Sequence, residues 1–235
     1  MINRNFKEFK FQHQSKQNQV IYAEKKVYRQ NEILSLIDNF LKDKNSFIFE
    51  SVEKGIIKGR YTIFGKDPDK IWEFNNNKSF IVDKTNKKKK IKGDPKKIIE
   101  NLIEDFKFKT PKTLPPICSL ISGFFSYDSI RYIEKIPNNC KDDLKLPDVR
   151  LMRPRILVIH DNLKKKIFYI VNVFKDEKIL NYPKKFENIK KDISLLIEQS
   201  SHSYSLIKNN FSKKIKVRSN TSKKKFLSMI KKAKK

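Results

Sequence analysis

Two apolar runs separated by a short polar turn constrain the fold more than any other feature of this sequence. Residues 155–174, RILVIHDNLKKKIFYIVNVF, place a turn around Asp161 and Asn162 between runs rich in strand-forming Ile, Val, Tyr and Phe. A second pair, KIWEF and SFIVDK, lies on either side of NNNK within residues 70–84. Strands joined by turns this short pair antiparallel, because a parallel pair needs a crossover of about a dozen residues or more. The sequence therefore predicts largely antiparallel sheet.

Amphipathic helices accompany these hairpins. Residues 31–43, NEILSLIDNFLKD, repeat apolar side chains at intervals of three and four, with Asn31 as a possible N-cap. Similar patterns predict further helices at residues 95–106, 180–199 and from 223 onward, and a helix that starts near Tyr127. Because hairpins dominate over regular strand–helix–strand alternation, the predicted fold class is α+β, with largely antiparallel sheets and flanking helices.

The formal net charge of +28 over 235 residues raises the question of a nucleic-acid partner. Arginine, which makes bidentate contacts to phosphates and bases, accounts for only eight of the 54 basic residues. The lysines are scattered through predicted helices and loops, including the predicted solvated loop 85–95. An AT-rich genome would give the same excess of Lys, Ile and Asn. We therefore predict no nucleic-acid partner, and a basic nucleic-acid-binding module stays as the alternative from another class.

The cellular compartment is indicated by what the sequence lacks. Cys118 and Cys140 have no metal-ligand spacing, and two cysteines are too few for a disulfide framework. The N-terminus lacks the apolar core of a secretory signal, and the sequence contains no run of 18 apolar residues. These observations predict a cytoplasmic protein with reduced thiols and no membrane partner.

One carboxylate, Glu50, stands in the middle of a predicted apolar strand, SFIFESV. Alternation places Phe49 and Ser51 on one face of the strand, and Glu50 on the other face beside Ile48. A carboxylate held against apolar groups is costly unless a cation or a hydrogen-bond donor meets it. The partner could be Arg60, a backbone amide or the amine of a ligand, and the residues alone leave these three open.

No catalytic site assembles from the sequence. The three histidines are isolated, the five glycines cannot supply a phosphate-binding loop, and the serines lack a paired base. His160 lies in an apolar strand, where a hydrogen-bonded core imidazole is expected. The last predicted helix carries an apolar face to the end of the chain with no element after it to cover that face. We therefore expect a binding or regulatory domain, or part of a longer enzyme.

Three separated segments resemble the large subunit, component I, of anthranilate synthases. FESVEKGIIKGRYTIFGKDPDKIW (49–72) is similar to that family's Leu-Glu-Ser, Gly-Arg-Tyr-Ser and Gly-x-x-Pro elements. SGFFSYDSIRYIEKIPNNCKDDLKLPDVRLM (122–152) resembles its Gly-Tyr-x-Gly-Tyr-Asp-x-x-Arg segment. RSNTSKKKFLSMIKKAKK (218–235) is similar to the run that opens its chorismate-binding domain. Phe49 replaces the usual Leu, and Ser126 replaces the second Gly.

The resemblance implies roles for individual residues. Phe49, Glu50 and Ser51 are implied to contact L-tryptophan as a feedback inhibitor, with the Glu50 carboxylate meeting its ammonium group. Asp128 and Arg131 are spaced i, i+3 and can pair on one helical turn. The implied structural motif residues are Gly59, Arg60, Tyr61, Gly123, Tyr127, Asp128 and Arg131.

The resemblance also implies a reaction. The intact enzymes convert chorismate and ammonia to anthranilate and pyruvate with Mg²⁺, and a glutamine amidotransferase subunit delivers the ammonia. No catalytic residue and no metal ligand is expected in this stretch, so that the chain alone is predicted to be inactive. The rival within the family is aminodeoxychorismate synthase component I, of the para-aminobenzoate pathway.

The implied fold is the N-terminal part of the family's β-sandwich, truncated. The predicted domains are a flexible N-terminus at 1–17, a regulatory domain at 18–200, a linker at 201–220 and the start of a chorismate-binding domain at 221–235.

Overall fold

The fold was obtained as a computed structural model, which describes residues 2–27, 31–50, 59–83, 85–139, 142, 144–201 and 218–234. The chain divides into two compact units, Met1–Tyr204 and Ser205–Lys235. The strands are β1 (Gln19–Lys26), β2 (Phe47–Glu50), β3 (Tyr61–Asn75), β4 (Lys78–Val82), β5 (Lys88–Ile91), β6 (Ser122–Phe125), β7 (Val149–Asp161) and β8 (Lys166–Val173). The α-helices are α1 (Phe6–Gln14), α2 (Asn31–Leu41), α3 (Pro95–Asp105), α4 (Tyr182–Ser201) and α5 (Lys223–Ala233), and α5 belongs to the second unit.

All the strand pairs of the sheet are antiparallel, which confirms the predicted fold class. Its centre is the long pair of β3 and β7, which runs from Tyr61 opposite Asp161 to Phe74 opposite Val149. At one end the order is β1-β8-β7-β3-β2, and at the other it is β6-β7-β3-β4-β5. We refer to these as the first and second half-sheets.

The half-sheets meet at a β-bulge. The pairing passes from Pro68 opposite Pro154 to Lys70 opposite Arg153, so that Asp69 is an extra residue in β3. Asp67, next to it, has a φ of 50°, in the left-handed region that Asp enters more readily than most residues. An extra residue bends its strand and increases the local twist. We call residues 67–69 and 153–155 the bend.

Both faces of the first half-sheet are buried. Helices α1, α2 and α4 cover one face, where fully buried rings such as Phe9, Phe64 and Tyr169 meet. The other face carries Leu157 and Ile159 and is covered by residues 106–121. The second half-sheet has its own core, in which Trp72, Phe74, Val149 and Leu151 pack against α3 residues Ile98, Ile99 and Leu102.

Several predicted elements are confirmed. The helices near 31–43 and 95–106 are α2 and α3, and Pro95 occupies the first turn of α3, where its missing amide costs nothing. Both hairpins form, and the β3–β4 turn places Asn76 and Asn77 at positive φ. Ser222 caps α5, with its side chain accepting a hydrogen bond from the Lys225 amide.

The predicted flexibility of residues 1–17 stays a prediction, and within this segment the structure forms the helix α1. Asn5 accepts a hydrogen bond from the Glu8 amide, and the Glu8 carboxylate accepts one from the Asn5 amide, which forms a capping box. Phe9 anchors the helix in the core, with its side chain fully buried. Little in the sequence indicated this helix, because the segment is polar overall and a single apolar ring such as Phe9 does not reveal that it is buried.

The helix expected to start near Tyr127 is confirmed, as a six-residue 3-10 helix, Tyr127–Tyr132. One local prediction is wrong, because the expected loop at 85–95 contains the edge strand β5, whose lysines are exposed. The predicted domain limits near 200 and 220 stay predictions, because residues 202–217 lie outside the described residues. Of the described helices, none has the length and apolar character needed to cross a membrane.

Candidate functional site

The implied inhibitor-contact residues lie at the end of β2. The Phe49 side chain is 47% exposed, and its ring centroid is 4.7 Å from that of Phe47 on the same face. Phe47 in turn lies over Gly65 of β3, where a Cβ atom would meet its ring at 2.2 Å. Ser51 lies outside the described residues. In the part of the chain that the structure describes, β2 is paired on one edge only, and Phe49 and Glu50 lie on opposite faces of the strand at its end.

Glu50 is exposed, so the expectation that apolar neighbours desolvate it is not met. Its position in the pairing is opposite Thr62 of β3. Arg60, one of the three candidate partners, is taken by another carboxylate. Its Nε donates to Asp161 Oδ1 at 3.1 Å and its terminal nitrogen donates to Asp161 Oδ2 at 2.7 Å.

A row of polar side chains continues from Glu50 across the sheet. Thr62 is opposite both Glu50 and His160, so the three residues occupy adjacent positions on three neighbouring strands. Thr62 and His160 are buried, and His160 Nδ1 has no hydrogen-bond partner among the described residues. Burial lowers the pKa of His160, against the opposing influence of Asp161, so the ring is neutral at pH 7. We call Glu50, Thr62 and His160 the polar row.

The polar row was not predicted from the sequence. A carboxylate, a hydroxyl and a neutral imidazole can all accept hydrogen bonds, so the row is suited to an ammonium group. The expected hydrogen-bonded core histidine is not observed, since one ring nitrogen is left without a partner in the described part of the chain. The register between β2, β3 and β7 is the signal that would have revealed the row, and a single sequence does not supply it.

The Gly59-Arg60-Tyr61 motif fixes the start of β3. Gly59 has a φ of 81°, and the Arg60 carbonyl accepts a hydrogen bond from the Asn162 amide at 2.8 Å. Arg60 also lies over the Tyr61 ring, 4.8 Å from its centroid. Burial raises the pKa of Asp161, but Arg60 and two backbone amides outweigh this effect, and the net pKa is lowered. The motif therefore joins β3 to the β7–β8 turn.

The second implied motif lies at the other end of β7. Gly123 is opposite Leu151, and a Cβ atom there would be 1.9 Å from the Arg150 carbonyl oxygen, so only glycine fits this close approach. Asp128 and Arg131 form the predicted i, i+3 ion pair. The Tyr127 side chain is 91% exposed.

Tyr132 attaches the 3-10 helix to the second half-sheet. Its hydroxyl donates to Asp148 Oδ2 at 2.6 Å, and the same oxygen accepts from the Asn76 amide at 2.9 Å. Burial, followed by the hydrogen bond to Asp148, raises the pKa of Tyr132, so the phenol stays protonated. Asp148 therefore joins the 3-10 helix to the β3–β4 turn.

The two implied motifs do not form one site. Arg60 contacts Asp161 and Gly123 pairs with Leu151, and these two partners are separated along β7 by roughly 30 Å. The bend lies between them. Each motif therefore fixes one end of the central strand pair.

An ion-pair network at the bend was also not predicted. Arg155 donates to Asp67 Oδ2 at 2.6 Å and to Asp192 Oδ2 of α4 at 2.7 Å. Burial lowers the pKa of Arg155, but Asp67 and Asp192 outweigh it and the net pKa is raised.

On the other side of Pro154, Arg153 binds Asp69 and Asp176, and its guanidinium lies 3.8 Å from the Phe174 ring centroid. Arg153 and Arg155 are separated only by Pro154, next to the apolar run ILVI. Two arginines at this spacing in an apolar strand are the sequence signal that could have indicated the network.

A metal site needs several donor side chains close together. Among the described residues, no three His, Cys, Asp or Glu side chains come together as a cluster that could hold a metal ion. The resemblance implies that the Mg²⁺ ligands lie outside this stretch, and that expectation stays a prediction.

Comparison with known proteins gives consistent relatives. The chain is 35% identical over 140 residues to anthranilate synthase component 1 of Acetivibrio thermocellus, covering 60% of this chain and 28% of the relative. It is 31% identical over 155 residues to anthranilate synthase component 1 of Cereibacter sphaeroides, covering 64% of this chain and 31% of the relative. The matched part thus spans under a third of these relatives' length.

A solved structure, anthranilate synthase component I from Streptococcus pneumoniae TIGR4, aligns with this chain with a TM-score of 0.49 and 21% sequence identity. The alignment covers 66% of this chain and 33% of the solved chain. A family model described as chorismate binding enzyme matches residues 44–235, which is most of the chain. The chain belongs to the chorismate binding enzyme family.

Proposed function

We propose that this chain is the N-terminal, regulatory part of an anthranilate synthase component I. The observation that carries the proposal is the family match over residues 44–235, together with relatives at 31% and 35% identity that bear this name. The longer protein would convert chorismate and ammonia to anthranilate and pyruvate, with Mg²⁺ bound outside this chain and ammonia supplied by a glutamine amidotransferase subunit. The chain alone would have no such activity.

The end of β2 is the proposed site of feedback inhibition by L-tryptophan. The polar row offers acceptors for the ammonium group, and charge-assisted hydrogen bonds of this kind are about twice as strong as neutral ones. The exposed ring of Phe49, which packs against the partly buried Phe47, offers an aromatic surface for the indole ring. Because Glu50 and the aromatic rings lie on opposite faces of β2, a ligand that contacts both would lie across the edge that β2 leaves unpaired among the described strands.

Inhibition would follow from linkage between the two sites. Tryptophan binds more tightly to an arrangement of the protein that turns over chorismate poorly, and it shifts the population towards that arrangement. Chorismate must weaken tryptophan binding by the same factor that tryptophan weakens chorismate binding. This reciprocity is measurable by titrating tryptophan with and without chorismate.

The test is the product of the longer protein that carries this chain. Chorismate, ammonia and Mg²⁺ are incubated with that protein, and the products are separated and identified by fluorescence and mass. We expect anthranilate, formed at a rate that tryptophan reduces. Formation of para-aminobenzoate precursor instead would favour the aminodeoxychorismate synthase alternative. Anthranilate production by the purified 235-residue chain would contradict the assignment of chemistry to the remainder.

A further inference from the structure

A cleft opens beside the bend, where β7 exchanges one partner strand for another. β8 pairs with β7 only as far as Ile156, and β6 begins to pair at Met152. Residues 153–155 of β7 therefore have no ladder partner on this edge among the described strands. The cleft lies between this gap and α3, and its volume is about 330 Å³. Small-molecule sites have volumes from about 300 Å³ upward.

The floor of the cleft is apolar. It is formed by the indole of Trp72 and by aliphatic side chains from two strands, α3 and the segment before β6, namely Ile81, Ile91, Ile98, Leu102 and Ile121. Trp72 is 8% exposed, so the indole is held in place by its surroundings. A flat ring flanked by branched side chains is suited to an aromatic or branched apolar group.

The rim of the cleft is charged, and its ion pairs differ in strength. Asp176 is paired with both Lys70 and Arg153. By contrast, Lys175 Nζ is 3.4 Å from Asp105 Oδ1, and these side chains are 39% and 79% exposed. An exposed pair at this distance contributes little, so Lys175 can exchange it for a ligand at small cost.

We propose that this cleft binds a carboxylate that carries an aromatic or branched apolar group. The apolar group lies on the Trp72 floor, and the carboxylate is bound by the Lys175 ammonium at the rim. The rim carries three cations, Lys70, Arg153 and Lys175, against two carboxylates, Asp105 and Asp176, so it favours an anion over an amine. The cleft is lined by residues of the second half-sheet and α3, whereas the polar row lies in the first half-sheet. The proposal therefore does not depend on the proposed feedback site.

Intrinsic fluorescence provides a direct test, because Trp72 is the single tryptophan of the 235-residue chain. The chain is titrated with 3-phenylpropionate, with its neutral amide and with 3-phenylpropylamine, which share one apolar group. We expect the carboxylate to change the fluorescence saturably, with a dissociation constant of about 1 mM for a ligand of this size. The amide should bind at least about fivefold more weakly, because it loses the charge-assisted bond. The amine should bind more weakly than the acid, because the rim carries more cations than carboxylates.

Variants separate the cleft from the general positive charge of the protein. Lys175→Gln should weaken 3-phenylpropionate binding about fivefold. Lys178→Gln, which removes an exposed lysine three residues along the chain and outside the cleft, should leave binding unchanged. Ile98→Phe should fill the cleft and abolish binding, and a thermal melt of each variant shows that it is folded.

Three results would overturn the proposal. The first is the absence of any saturable change in Trp72 fluorescence with 3-phenylpropionate. The second is equal affinity for the acid and the amide, since the ammonium would then play no part. The third is an equal effect of the Lys175 and Lys178 substitutions, which would assign binding to net charge and not to the cleft.

Discussion

Replacing Arg155 by methionine should lower the free energy of unfolding by about 2–3 kcal/mol. Removing one partner of a fully buried ion pair costs about 3–5 kcal/mol, because the remaining charge is left uncompensated. Arg155 is 16% exposed, but Asp67 and Asp192 are 27% and 29% exposed, so water screens part of that cost. Methionine preserves most of the apolar packing of the arginine stem. Urea unfolding, followed by Trp72 fluorescence, measures the change.

A double-mutant cycle isolates the electrostatic part of this effect. Asp192→Asn alone should cost about 1 kcal/mol, because Arg155 keeps its bond to Asp67. The double variant should lose about 1 kcal/mol less unfolding free energy than the sum of the two single losses. The reason is that the side chain introduced by Asp192→Asn carries no charge, so no carboxylate at this position is left unpaired beside the side chain introduced by Arg155→Met. Additivity within about 0.3 kcal/mol would refute the reasoning. Lys190→Met is the control, because its pair with Glu187 is exposed on the same helix and should contribute under about 0.5 kcal/mol.

Three further predictions follow from the ends of the central strand pair. Gly123→Ala should destabilise the chain by about 2–3 kcal/mol in urea unfolding, because the new Cβ must displace the Arg150 carbonyl, and an unchanged midpoint would show that β6 moves freely. Asp161 has a lowered pKa, so its contribution to stability is present above about pH 4 and is lost below it. Asp161→Asn should therefore lower the Tm by about 3 °C at pH 7 and by less at pH 3, as followed by circular dichroism, and equal losses at both values would contradict this. In the longer protein, Glu50→Ala should raise the tryptophan concentration for half-inhibition about tenfold, and unchanged inhibition would remove Glu50 from the feedback site.

Local signals in the sequence predicted most of the secondary structure. The Asp94-Pro95 step marked the start of α3, and the asparagines at 76 and 77 marked a hairpin turn, because each of these residues has a backbone preference that acts within a few positions. The long pairing of β3 with β7 was not predicted. Its register joins residues about 90 positions apart, such as Phe64 and Val158, and no local preference specifies that choice.

The site was predicted less well than the fold. Alternation correctly separated the faces of Phe49 and Glu50, but it does not say what covers each face, and Glu50 is exposed. The pairing of Arg60 with Asp161 depends on the β3–β7 register, as does the placement of Thr62 beside His160. The bend required Asp69 to be recognised as an extra residue, and a single Asp between Pro68 and Lys70 looks like an ordinary turn.

The central strand pair also imposes an order of events on synthesis. After Asn75 completes β3, the ribosome must add the 73 residues 76–148 before β7 begins. At about 5–20 residues per second this takes roughly 4–15 s. Throughout that interval the nascent chain presents an unpaired strand edge to its surroundings, where it can pair wrongly with other chains. We expect the yield of soluble protein to rise when translation is faster or when a chaperone that shields nascent strands is abundant.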